Sequence, residues 1–333
     1  MTVIRNPLAS KVLITYFDPP PYTTGDVERK RLEKIGAEIV GPVYCRTEED
    51  LITAGKDVDG ILLDQGPMTR KVLDALEKVR VIVNCSVGVD NVDLQAATER
   101  GVFVANVPDF CTIEVAEHTV ALFLALWRKL VLAFCSTKSG TFDYEKIKPV
   151  ERMAGKTAGL LGFGRIGQAV ARRLKGFELN LIAYDPLVPK SVFEDLGVVE
   201  VEFEELLKRS DAVLIHSSLT RENVHLIDEE QLKLMKKTAL IVNAARGSLV
   251  NEKVLIRALT EGWIRGAALD VMESDFREID NPLLKLDNVL LTPHLGWYSE
   301  DALTDLQGKA TEEVVRVLQG SHPKNLVNKQ VLS

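Results

Sequence analysis

Three polar side chains in the second half of this sequence stand just past apolar runs that read as strands. Arg246 follows Val242-Asn243-Ala244-Ala245, Asp275 follows Asp270-Val271-Met272-Glu273-Ser274, and His294 follows Leu291-Thr292-Pro293. A guanidinium stays charged and its planar fork pairs with carboxylate and carbonyl oxygens. An imidazole takes up and releases a proton near neutral pH. A carboxylate beside that imidazole would orient the ring and favour its protonated form. Together they could hold an acid, polarise its keto group and move a proton, which is what interconversion of a 2-keto and a 2-hydroxy acid needs. Each residue alone has a plainer reading: a surface arginine, a structural histidine, and an aspartate in a solvated loop with Glu273, Arg277, Glu278 and Asp280.

What joins the three is a turn upstream. Gly162-Phe163-Gly164-Arg165-Ile166-Gly167 follows a strand-like run at 157–161, opens a helix-like run at 168–175, and is followed by a second apolar run, 179–184, ending at Asp185. Strand, glycine turn, helix, strand and carboxylate is the order a dinucleotide requires. The first glycine permits the turn, the second lets backbone approach the pyrophosphate, and the third lets helix and strand pack closely. The helix start offers free N–H groups to phosphate. Asp185 is placed to accept from an adenosine ribose and to repel a 2′-phosphate, which points to NAD.

The elements that must position these residues alternate in type. Runs at 11–17, 37–40, 58–64, 80–86 and 102–105 read as strands, with helices at 27–35, 48–54, 69–78 and 93–100. After the glycine turn, strands are expected at 212–217, 239–244, 267–271 and 289–291, and helices at 229–236, 251–261 and 300–318. Such alternation gives parallel sheets with helices on both faces. One long helix is expected over 112–135, which lacks Gly and Pro and is apolar nearly all round at 120–126. It would serve either as a core helix or as a contact between subunits. The expected fold is α/β: two doubly wound parallel-sheet domains, with a Rossmann nucleotide domain (108–297) inserted into a flavodoxin-like substrate domain (1–107 and 298–333). The cleft between two such domains would be a natural substrate site.

Bulk properties narrow the function. The chain has 333 residues, long enough for two cores, with 46% apolar and 27% charged residues. A net charge of −7 gives no reason to expect nucleic-acid binding. No run reaches the length of a membrane span, and the start lacks a secretory signal. Cys45, Cys85, Cys111 and Cys135 are scattered, fitting reduced thiols in a cytoplasm. No metal, nucleic acid or membrane is expected.

The sequence resembles the D-isomer-specific 2-hydroxyacid dehydrogenases over nearly its whole length. The resemblance rests on Cys85-Ser86-Val87-Gly88-Val89-Asp90-Asn91, on 159–167, on Asn243-Ala244-Ala245-Arg246-Gly247, on Gly266-Ala267-Ala268-Leu269-Asp270-Val271 and on Thr292-Pro293-His294. The stretches 107–112 and 294–300 look like the branch containing the C-terminal-binding proteins. The resemblance implies that Arg246 binds substrate and polarises its carbonyl, and that His294 is the acid in reduction and the base in oxidation. It implies a substrate carboxylate on the backbone of Val87, Gly88 and Val89, with Trp297 lining the pocket. Implied cofactor contacts are Val87, Thr112, Gly162, Gly164, Arg165, Ile166, Gly167, Asp185, His216, Ser217, Ala244, Ala245, Arg246, Asp270 and His294. The implied assembly is a homodimer built through the nucleotide domain. One position departs from the family: its third catalytic residue is a glutamate followed by proline, whereas Asp275 is followed by Phe276. Glu273 is a weaker substitute, two residues early. The expected activity is NAD-dependent oxidation and reduction of a small 2-keto or 2-hydroxy acid such as glyoxylate or hydroxypyruvate. Two alternatives are an NADH-sensing peptide-binding protein and a short phosphoglycerate dehydrogenase.

Overall fold

The computed structural model describes residues 10–17, 23–141, 143–274 and 278–333. The chain divides into two compact units: Met1–Phe110 with Ser299–Ser333, and Cys111–Tyr298. Among the described residues, twelve strands form two sheets, both parallel throughout.

The first unit contains β1 (Lys11–Tyr16), β2 (Glu38–Tyr44), β3 (Gly60–Leu63), β4 (Val81–Asn84) and β5 (Phe103–Asn106), in the order β2-β1-β3-β4-β5. That is the flavodoxin-like order, with its reversal between β1 and β3. Residues of β3 and β4 are buried throughout, because helices cover both faces of the sheet. The terminal helix Glu300–Leu318 belongs to this unit; Ser299 caps it by accepting from the Ala302 N–H (2.9 Å). Its inner face carries Leu306, Ala310, Val314 and Val317. Beyond it, the side chain of Asn328 accepts from the Val104 N–H (2.8 Å) and donates to the Val102 carbonyl (2.9 Å), tying the C-terminal segment to β5.

The second unit contains β6 (Thr157–Leu161), β7 (Asn180–Tyr184), β8 (Val199–Glu200), β9 (Ala212–Ile215), β10 (Leu240–Asn243), β11 (Gly266–Leu269) and β12 (Val289–Leu291). Their order is β12-β11-β10-β9-β6-β7-β8, the dinucleotide-binding order with its reversal between β6 and β9.

Three local expectations differ from the structure. Helix 112–135 is two helices, Thr112–Trp127 and Leu130–Lys138, bent by 63°. Lys129 takes a left-handed conformation (φ 51) at the break, and Trp127 is buried with its indole N–H donating to the Glu151 carbonyl (2.9 Å). Tertiary contact thus ends the first helix where the sequence carries no breaker. β2 runs on to Tyr44, through Gly41-Pro42 and past the expected end at residue 40. β2 is an edge strand, where a proline's missing N–H leaves no ladder bond unmade. The short helices Lys190–Asp195 and Phe203–Arg209 and the two-residue β8 were not anticipated.

Candidate active site

All strands of the second sheet point the same way, so every residue just past a strand lies along one edge. β6 leads into Gly162, β7 into Asp185, β9 into His216, β10 into Ala244, β11 into Asp270 and β12 into Thr292. The residues assigned from sequence to this half of the chain therefore converge on the sheet's carboxyl edge, where open α/β sheets bind ligands. Thr112 opens the helix Thr112–Trp127 of the same unit.

The three glycines of the turn do different work. Gly162 has φ 94, and a side chain there would meet the backbone of His216 and Ser217 at 2.5–2.8 Å. At Gly167 a Cβ would fall 2.3 Å from the Gly162 carbonyl oxygen, so the helix start can lie against the turn only without one. Gly164 has nothing within 4 Å of its missing Cβ; it heads the helix Arg165–Leu174 and faces open space. This is the cradle into which a pyrophosphate fits, with the first helical N–H groups around it. The carboxylate of Asp185 accepts from the Phe163 N–H (2.8 Å) and the Leu187 N–H (3.0 Å), fixing it beside the turn. Among the described residues neither ring nitrogen of His216, both shut away from solvent, has a hydrogen-bond partner, and burial holds its pKa down to about 4. An unsatisfied, neutral imidazole beside the glycine turn is a place where a bound group supplies the missing partner. The residues present fit NAD: the cradle takes the pyrophosphate, and the fixed Asp185 suits an unphosphorylated ribose.

At the other end of the edge, Asn243, Leu269 and Leu291 share one rung of β10, β11 and β12. Arg246 and His294 each lie three residues past that rung, in the turns that follow the two strands flanking β11. The turn to Arg246 is set by buried Asn243, which accepts from the Ala245 N–H (3.0 Å) and donates to the Arg246 carbonyl (2.9 Å). The turn to His294 is set by Asp270, which is 2% exposed. Its carboxylate accepts from the Thr292 hydroxyl (2.6 Å), the Leu295 N–H (2.9 Å) and the Gly296 N–H (2.8 Å), and its carbonyl from the His294 N–H (2.9 Å). His294 itself is left-handed (φ 55). Burial pushes the Asp270 carboxyl up, but hydrogen bonds from His118, Thr292 and Gly296 outweigh it, and its pKa lies below the ordinary value. Trp297 packs edge-on against Tyr298, with centroids 5.5 Å apart.

Asp275 and Phe276 lie outside the described residues. Glu273 is engaged elsewhere: its Oε1 is 2.6 Å from Nε2 of His225, and its Oε2 accepts from the Glu252 N–H (3.4 Å). The Glu252 carboxylate in turn holds the Ser274 N–H and hydroxyl (3.1 and 2.6 Å) and the Asn281 amide (2.8 Å). Residues on either side of the Asp275 stretch are thereby tied to one buried carboxylate. Neither His118 nor Glu252 was singled out in the sequence, because nothing local marks them.

Val87, Gly88 and Val89 belong to the first unit, in the turn after β4. There the Asn106 amide donates to the Val87 carbonyl (2.6 Å), and the Asn84 amide (2.7 Å) and the Ser86 hydroxyl (2.5 Å) donate to the Gly88 carbonyl. With both carbonyls turned inward, the Gly88 and Val89 N–H groups, across the same peptide planes, face away from those amides. Backbone N–H groups turned outward in this way are able to donate to an anion.

Fold and site define a two-unit, dinucleotide-binding α/β protein with an arginine and a histidine at the cofactor edge. The profile of the D-isomer specific 2-hydroxyacid dehydrogenase NAD binding domain matches residues 120–296. A glyoxylate reductase from Korarchaeum cryptofilum is 39% identical over 322 residues, covering 94% of this chain and 97% of that protein. A D-3-phosphoglycerate dehydrogenase from Methanocaldococcus jannaschii is 46% identical over 301 residues; the match covers 90% of this chain but only 57% of that protein. Among solved structures, D-lactate dehydrogenase from Aquifex aeolicus, complexed with NAD and lactic acid, superposes with a TM-score of 0.83 at 28% identity, covering 93% of this chain and 96% of that one. The chain belongs to the D-isomer specific 2-hydroxyacid dehydrogenase family, and its cofactor is NAD.

Proposed function

We propose that this chain is an NAD-dependent oxidoreductase that interconverts a small 2-keto acid and its D-2-hydroxy acid, with glyoxylate or hydroxypyruvate as the substrate type. The observation that carries the reading is the placement of Arg246 and His294 three residues past one rung of a dinucleotide-binding sheet. NADH, when bound, supplies the hydride that reduces substrate C2. Arg246 pairs with the substrate's carbonyl and carboxylate oxygens and stabilises the negative charge that builds on the carbonyl oxygen. His294 gives that oxygen a proton in reduction and takes it back in oxidation. Asp275 is the proposed partner of His294. Of the assigned cofactor positions, Gly162, Gly164, Arg165, Ile166, Gly167 and Asp185 take the adenosine and pyrophosphate half. The outward N–H groups of Gly88 and Val89 suit a carboxylate, and Trp297 is assigned to the substrate pocket.

A phosphorylated substrate is the second reading, favoured by the phosphoglycerate dehydrogenase relative. Against it, a phosphorylated substrate would want a basic cluster in the first unit near Gln65-Gly66-Pro67-Met68, and the two basic side chains close to it, Arg70 and Lys71, are engaged. Arg70 pairs with Glu99 at 2.7 Å, and Lys71 with Glu48 at 2.9 Å and Glu49 at 2.6 Å. Oxidation of NADH with glyoxylate, hydroxypyruvate and 3-phosphohydroxypyruvate decides between them. Tight NADH binding without turnover of any of the three would instead favour a cofactor-sensing, peptide-binding protein.

The same reading places the protein in the cytoplasm as a homodimer joined through the nucleotide unit. In support, all four cysteines are free. Separately from that, among the described residues no single helix is long and apolar enough to cross a membrane, while the bent pair Thr112–Trp127 and Leu130–Lys138 reaches that length and apolarity only together. The helix Leu130–Lys138 buries none of its residues and exposes Leu130 (54%), Val131 (46%) and Phe134 (63%). An apolar face of that kind marks a contact surface. A Phe134→Ser, Leu130→Ser double variant should elute as a monomer by light-scattering chromatography; an unchanged mass removes this helix from the interface.

A further inference from the structure

His118 lies on the helix Thr112–Trp127, outside every residue set assigned to the chemistry above, yet its ring meets the turn that carries His294. Nε2 of His118 is 2.9 Å from the Thr292 hydroxyl oxygen and 3.2 Å from Oδ1 of Asp270. The Thr292 hydroxyl spends its proton on Asp270, at 2.6 Å. Its oxygen is therefore left to accept, and the Asp270 carboxylate can only accept. Both neighbours of Nε2 want a donor, which fixes the tautomer with the proton on Nε2. Two donors of different origin (the Thr292 hydroxyl and the Leu295 N–H) then converge on one buried oxygen, with the His118 ring nitrogen 3.2 Å from it, while the Gly296 N–H holds the other. Without the His118 donor, Asp270 keeps its burial but loses part of what offsets it. The left-handed conformation of His294, between Thr292 and Leu295, depends on the same carboxylate.

We propose that His118 is a positioning residue for the reaction: acting through Thr292 and Asp270, its Nε2–H locks the 292–296 turn and so sets where the imidazole of His294 is presented. The catalytic half of this claim rests on the function proposed above; the structural half does not. Two measurements on the purified protein separate them. His118→Phe keeps a ring of similar size and removes the donor, whereas His118→Gln returns an N–H at a similar reach. In deuterium exchange, the Leu295 and Gly296 amides of His118→Phe should lose protection by about tenfold, the equivalent of one hydrogen bond, with His118→Gln near the parent. The amide of Gly162, bonded to the Tyr184 carbonyl at the other end of the edge, is the internal control. In steady-state turnover of glyoxylate or hydroxypyruvate, kcat of His118→Phe should fall about ten- to a hundredfold, as expected for a misplaced catalytic group, with KM for NADH unchanged and recovery in His118→Gln. Should His118→Phe not fold, Thr292→Val breaks the same chain at its hydroxyl and replaces it.

Unchanged protection at Leu295 and Gly296 overturns the clamp. Lost protection with an unchanged kcat, or a loss that His118→Gln does not recover, overturns the positioning role. A parent that reduces no 2-keto acid overturns the proposed function instead, and the exchange data still decide the clamp.

Discussion

Two turns that follow strands, one in each unit, are held in shape by opposite chemistry. The Ser86–Val89 turn after β4 is fixed by neutral amides: Asn84 donates to Ser86 (2.8 Å), Gly88 (2.7 Å) and Asn91 (2.9 Å), and Asn106 donates to Val87. The 292–296 turn after β12 is fixed by the carboxylate of Asp270, which only accepts. The amides draw carbonyls inward and leave N–H groups outward, so the first turn presents backbone donors. The carboxylate draws N–H groups inward and turns the backbone over at His294, so the second presents a side chain. The polarity of the clamp thus decides what each turn offers. It also decides what each turn resists, because an amide clamp has no charge to lose.

The largest effect expected from this contrast lies at the side chain presented by the second turn. Under the proposed function, His294→Asn should cut kcat by about a hundred- to ten-thousandfold, the range for a lost general acid, while NADH titrated by fluorescence binds as before. A variant with parental kcat would leave the carboxylate-held turn without a chemical purpose.

Two glycine substitutions test whether the cofactor edge obeys a third rule, in which missing side chains do the shaping. Gly167→Ala places a methyl 2.3 Å from a backbone oxygen, so stability should drop by the 1–3 kcal/mol or so typical of overpacking. Gly164→Ala meets nothing within 4 Å, so it should melt like the parent yet bind NADH more weakly, its methyl standing where the pyrophosphate approaches. Equal melting losses in both variants would contradict the division of labour.

How much of this was legible in the sequence follows the same division. The glycine turn could be read because its strand, turn, helix and acid are contiguous, and each constraint is local. The helix Glu300–Leu318 was read to the residue from its apolar spacing and the Gly320 stop. Arg246 and His294 could be placed because parallel strands put every strand end on one edge. The break at Lys129 could not be foreseen, since it depends on where Trp127 is buried rather than on a breaker residue. Nor could the link from His118 to Asp270, whose members lie on a helix and a strand end far apart in the chain; one sequence carries no signal for such a contact. The pairing of Glu273, the weaker candidate for the third catalytic position, with His225 was likewise invisible, because the two lie far apart in the chain.

Reciprocal swaps probe the clamps themselves. Asp270→Asn keeps the shape but turns one acceptor into a donor facing an N–H or a hydroxyl, and Asn84→Asp turns a donor into an acceptor facing the Gly88 carbonyl and the Asn91 side-chain oxygen. Each should cost roughly 1–3 kcal/mol, the penalty for leaving buried partners unmatched, measured by urea unfolding. The losses should also be local: deuterium exchange should rise at Leu295 and Gly296 in the first variant and around Val92 and Val107 in the second. Spread over both turns in either variant, the change would mean that the clamps are not independent.

Acid separates the two turns with the smallest signal. The Asp270 carboxyl titrates below its ordinary value of 3.8 in the folded chain, so its contribution to stability is complete above the unfolded pKa and is lost as pH falls through the lower folded value. Asn84 and Asn106 have no proton to gain. Between about pH 6 and pH 4.5 the difference in melting temperature between parent and Asp270→Asn should stay constant, then shrink below about pH 4 as the parent's carboxylate protonates. The difference between parent and an Asn106→Ala variant should show no such step. His216, held near 4 by burial, also protonates in this range, but it is present in all three proteins and cancels from the differences. A step of equal size in the Asn106→Ala series would show that acid loosens the amide-held turn as well, and that the contrast between the two clamps is not one of charge.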